Sequence, residues 1–86
     1  MCTYLTRKVT LTGSGKGPSG WTRISDASVY FDHPVHLPAG HSLNIDFLTP
    51  EAGPYARVAL ELPADAAREL AHAILDTLDT VPSELS

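Results

Sequence analysis

The sequence predicts an α+β fold: a four-stranded antiparallel β-sheet in meander order, with one C-terminal α-helix packed on one face. Three observations carry this expectation. Four stretches between residues 3 and 62 alternate apolar and polar side chains with a period of two. Segments rich in Gly and Pro separate them. From Pro63 onward the apolar spacing switches to steps of three and four.

The first stretch, Thr3–Thr12 (TYLTRKVTLT), is rich in β-branched residues, with Val9 and Leu11 on one side and Lys8, Thr10 and Thr12 on the other. Gly13–Gly20 holds four glycines and a proline in eight residues and is expected to be a loop. Trp21–Asp32 reads as the second strand. Its parity shifts between Ile24 and the set Ala27, Val29 and Phe31, which predicts a bulge near Asp26. His33–Gly40 contains two prolines and is a loop. Leu43, Ile45 and Phe47 alternate with Ser42, Asn44 and Asp46 in a half-buried third strand, and 49–54 is a turn. Ala56, Val58, Leu60 and Leu62 mark the fourth strand. Ala67, Leu70, Ala71, Ile74, Leu75 and Leu78 then mark an amphipathic helix that starts at Pro63 and ends at Val81-Pro82.

Eighty-six residues make one domain, 1–86, with an ordered core expected over about 2–80. Such a chain buries a limited core and gains from a metal, a ligand or a partner subunit. Its formal charge is −4, and the six Lys and Arg are scattered, which disfavours nucleic acid as a partner. One cysteine excludes an internal disulfide, and no apolar run is long enough to span a bilayer. The expected location is the cytoplasm, with no membrane partner.

One helix covers one sheet face. The other face carries Ser28, Tyr30, Asp32, Asn44, Asp46, Arg57 and Glu61. Such a polar face suits plain solvation, a homodimer contact or the floor of a site. Pairing the first two strands so that residue numbers sum to about 33 puts Cys2 opposite Phe31 or Asp32. Continuing the meander puts Asp32 opposite His41, and His41 near Glu61. Cys2, Asp32, His33, His36, His41 and Glu61 thus converge on one end of the sheet.

Three chemistries follow. The run from His33 to His41 supplies three imidazoles in nine residues, and Cys2 adds a thiolate, a set that zinc accepts although its spacing matches no established zinc motif. Alternatively, His33 or His41 acts as a base oriented by Asp32 or Asp46, with Tyr30, Asn44 and Arg57 gripping the oxygens of a small-molecule substrate. Cys2 beside a His and an Asp also fits a thiolate nucleophile. The segment Gly13-Ser-Gly-Lys-Gly17 lacks the spacing of a phosphate loop and precedes a strand rather than a helix.

Met1-Cys2-Thr3-Tyr4, the Gly13–Gly17 segment with Gly20-Trp21, Val29-Tyr-Phe-Asp-His-Pro34, Leu43–Phe47, and Gly53-Pro54 followed by Ala56–Leu62 together resemble a family of very small, functionally uncharacterised actinobacterial proteins. The likeness runs to about Leu78. It implies no assigned activity, and through the source organisms it implies a role in specialised metabolism.

The leading expectation is therefore a small zinc-binding protein using Cys2, His33, His36 and His41. The alternatives are a metal-independent cyclase, isomerase or hydrolase acting by His/Asp acid–base chemistry, and a non-catalytic homodimeric interaction module.

Overall fold

A computed structural model describes residues 6–18, 20–49 and 57–85. Four strands, β1 (Thr6–Gly17), β2 (Gly20–Asp32), β3 (Ser42–Leu48) and β4 (Arg57–Leu62), are followed by helix α1 (Ala64–Thr80) and a 3₁₀ turn at Ser83–Leu85. The strands form one antiparallel sheet in the order β1-β2-β3-β4, the meander expected from the alternation.

Register assigns each strand two faces. Ala27 pairs with Phe47, Val29 with Ile45 and Phe31 with Leu43. Phe47 in turn pairs with Val58, Ile45 with Leu60 and Leu43 with Leu62. These pairs build one apolar face. Tyr30 with Asn44, Ser28 with Asp46, and then Asn44 with Glu61 build the polar one.

The β1–β2 hairpin departs from the sequence expectation in three ways. Its glycine-rich segment is strand, not loop: the ladder runs out to Gly17 opposite Gly20. Gly20 has φ +104°, a left-handed backbone that Gly adopts without a Cβ penalty, and it lets the chain reverse there. Because the strands extend further, paired numbers sum to 36 at Thr6↔Tyr30 rather than about 33. The bulge lies at the expected level but on the opposite strand. Thr10 pairs with Asp26 and Gly13 with Ile24, so Leu11 and Thr12 together face Ser25.

A bulge adds twist, and here the hairpin tip curls toward β4. A Cβ added to Gly15 would lie 2.5 Å from Ile24 Cδ1 and 3.2 Å from Val58 Cγ2. One added to Gly17 would lie 3.6 Å from the Arg57 carbonyl oxygen. The small residues of the tip therefore permit a close approach that larger ones prevent. Ile24 and Ala27 are the buried apolar residues of this compact centre.

Helix α1 begins after Pro63, whose carbonyl accepts the Ala67 N–H at 3.0 Å. Asp65 sits in the first turn, where the helix dipole favours a carboxylate. The helix ends at Val81, whose extended backbone suits the residue before Pro82. It covers the apolar sheet face with its N-terminal half only. Ala64, Ala67, Arg68 and Ala71 stand around a cavity with Phe31 and Leu43, whereas every residue from Arg68 to Thr80 is exposed. Among the described residues, no helix is long and apolar enough to cross a membrane.

Candidate functional site

The polar face is not flat. A concave cavity of about 730 Å³ lies over it, with Tyr30, Asp32, Asn44, Asp46, Arg57 and Glu61 contributed by the strands and His33, Val35, His36, Leu37 and Pro38 forming a wall. This wall is part of the proline-containing connection between β2 and β3.

Glu61 fixes that wall. It stands on β4 opposite Asn44, on the polar face. Its carboxylate accepts three backbone N–H groups of the connection: Val35 at 2.6 Å, His36 at 2.8 Å and Leu37 at 2.8 Å. Successive amides aimed at one anion form a small nest, and bonds to an ionised acceptor are stronger than neutral ones. The Val35 N–H is the largest influence holding the Glu61 carboxyl below the usual carboxylate range. Loss of hydration, the next influence in size, opposes it, and the Leu37 and His36 amides and the His36 ring reinforce the lowering. Asp32 closes the near end of the connection by accepting the His33 N–H at 2.7 Å.

The floor is a hydrogen-bonded row along β3. Ser42, wholly buried, donates its hydroxyl to the side-chain oxygen of Asn44, also buried. With that oxygen engaged, the Asn44 amide group is directed toward Tyr30, its partner across the sheet. The Tyr30 hydroxyl in turn donates to Asp46 at 3.1 Å. Burial pushes the Tyr30 phenol above its ordinary value, and the Asp46 carboxylate adds to this by repelling a phenolate and binding the neutral hydroxyl. Arg57 and Asn44 pull in the other direction. Tyr30 thus remains a neutral donor at physiological pH, positioned from both sides.

The histidines are distributed differently from a single cluster. His33 lines the cavity, and its Nδ1 lies 2.9 Å from the Gly40 carbonyl oxygen. A carbonyl only accepts, so Nδ1 carries the proton and Nε2 keeps its lone pair in the neutral ring. His36 lines the cavity too. His41 does not belong to its lining; its ring stacks on His33, with centroids 4.7 Å apart, and on Phe31 at 5.8 Å. The expected Asp32–His41 pairing is shifted by one, since Asp32 pairs with Ser42. Among the described residues, no three His, Cys, Asp or Glu side chains gather closely enough to hold a metal ion. Cys2 lies outside the described residues.

The cavity therefore unites Tyr30, Asp32, His33, His36, Asn44, Asp46 and Arg57 of the sequence-derived candidates, and sets His41 behind His33. Sequence reasoning placed Glu61 on the polar face but missed its task of anchoring the wall. The available signal was its outward position at the end of β4 nearest the proline-containing connection.

Comparison with curated proteins and with solved structures gives no match. The profile of a family of unknown function, DUF6295, matches residues 1–86. With its full length matched, the chain belongs to DUF6295.

Proposed function

We infer that the cavity on the polar sheet face binds a small polar molecule and transfers a proton on it. The carrying observation is the Tyr30–Asp46 hydrogen bond on the floor of a concavity whose wall is tied down by Glu61. A row of oriented polar groups in a cavity of about 730 Å³ is what a small-ligand site requires. Asp32 and Asp46 suit hydroxyl or amino donors of the ligand, and Arg57 suits a carboxylate or other anionic oxygen. His33 Nε2 is the base, its tautomer set by Gly40. Tyr30 supplies an oxygen held in place by Asn44 and Asp46. An isomerase, cyclase or hydrolase of a small metabolite uses these groups, in keeping with the actinobacterial resemblance and specialised metabolism.

A thermal-shift screen of hydroxylated amines and small hydroxy acids tests this reading. Wild-type protein is expected to gain several degrees at ligand concentrations about tenfold above Kd, and Asp46→Asn is expected to lose the gain. A wild-type protein indifferent to the whole panel contradicts the reading, as does a gain that Asp46→Asn and Arg57→Ala both keep.

A second reading, a zinc site on Cys2, His33, His36 and His41, draws support from the adjacency of the His33 and His41 rings. Stacked imidazoles carry their nitrogens at the ring edges, so sharing an ion requires one ring to turn. Elemental analysis of tag-free protein beside a His33→Ala/His41→Ala variant decides it: stoichiometric zinc lost in the variant supports the site, and zinc-free protein unaffected by added zinc ends it.

A further inference from the structure

The apolar stripe of α1 is longer than the surface this chain offers it. Ala67, Ala71, Ile74, Leu78 and Val81 recur at steps of four and three, the spacing of a seam that packs against another helix. The stripe's larger members are uncovered: Leu70, Ile74, Leu75 and Leu78 are 41, 52, 58 and 59% exposed. Beside them the cavity between α1 and the sheet, about 460 Å³, is lined by Phe31, Leu43, Ala64, Ala67, Arg68 and Ala71.

We propose that α1 pairs antiparallel with α1 of a second copy of this chain, about a two-fold axis near Ile74. The charges select this partner and this direction. Arg68 is the one Lys or Arg of α1, and Asp79 follows it by eleven residues on the same edge of the stripe. A two-fold axis perpendicular to the helix brings like edges together at mirrored heights. The axis that sets Leu70 against Leu78 and Ile74 against its own counterpart also sets Arg68 beside Asp79, twice per dimer. Parallel pairing, about an axis along the helix, would bring opposite edges together and leave Arg68 away from Asp79. Leu78 of the second copy then reaches the mouth of the cavity at Ala67 and Ala71. This surface lies on the apolar side of the sheet, so the dimer stands or falls independently of the polar cavity.

Sedimentation equilibrium of the full chain, from about 1 to 200 µM, tests the pairing with wild type, Arg68→Glu, Asp79→Arg and the double exchange. Wild type is expected to dimerise within this range. Each single reversal is expected to weaken dimerisation about tenfold, and the double exchange to restore it to within about threefold. A monomeric wild type overturns the proposal. So does a dimer that neither reversal weakens, or one that the double exchange fails to restore. Ile74→Asp is expected to be monomeric with its helical signal retained, and the charge exchange decides should that variant fail to fold.

Discussion

The carboxylate of Glu61 and the backbone N–H of Val35 meet at 2.6 Å although they are 26 residues apart in the chain. This contact, with those to His36 and Leu37, converts a proline-containing connection into a fixed wall over the polar sheet face. Glu61→Ala is expected to free the three amides. Hydrogen exchange at Val35, His36 and Leu37 should accelerate while the central β2–β3 ladder keeps its protection. Unchanged exchange at these three amides would mean that Glu61 does not hold the wall.

The same carboxylate sets a pH dependence. Its folded pKa lies below the ordinary value, so its anchoring is fully present above that ordinary value, near 4.5. It is lost only as pH falls further, through the depressed folded value. The side-chain carboxyl carbon of Glu61 should therefore show its main chemical-shift transition below the ordinary value of 4.5. A main transition of that carboxyl carbon above this value would contradict the assignment.

Ser42 and Asn44 offer a test of the floor. Ser42→Ala removes the donor to a buried amide oxygen at nearly constant volume. An expected loss of about 1–3 kcal/mol in urea denaturation follows from the unsatisfied acceptor. Tyr30→Phe removes a hydroxyl from a partly exposed pair and should cost less, about 0.5–1.5 kcal/mol. Equal stability of wild type and Ser42→Ala would show that the row along β3 is not formed.

The phenol of Tyr30 gives a spectroscopic check of the same row. Burial and Asp46 raise its pKa, so it should ionise above pH 10. Asp46→Asn removes the negative charge and should move its titration downward. A Tyr30 titration that Asp46→Asn leaves in place would separate the two groups.

Two glycines of the hairpin should respond to Ala for different reasons. At Gly15 the added Cβ meets Ile24 and Val58, so crowding is expected to cost about 1–3 kcal/mol. At Gly20 there is open space, and the penalty of about 1–2 kcal/mol comes from the left-handed backbone alone. Denaturant midpoints read both. A neutral Gly15→Ala would place the hairpin tip away from β4.

The fold was legible where one side of an element is dry and the other wet. Leu43, Ile45 and Phe47 against Asn44 and Asp46 alternate cleanly because β3 separates the two faces, and that alternation also grouped Tyr30, Asn44, Asp46 and Arg57. The hairpin tip was illegible because glycines and a proline carry no pattern, although the close approach to Val58 is what requires small residues there. Glu61 as an anchor and His41 as a stacking partner depend on the path of the connection after Asp32, which tertiary contacts set and local spacing does not. The helix pattern was read correctly, but its covering was overstated, since periodicity reports an apolar stripe and not what lies against it.

The most direct measurement is an amide-resolved NMR titration of isotopically labelled protein with the strongest binder from the screen. Saturable shifts confined to β2, β3 and β4 around Tyr30, Asn44, Asp46 and Arg57, and to residues 33–38, are the expected result. Shifts concentrated instead along α1, or spread without saturation, would contradict a ligand site on the polar face.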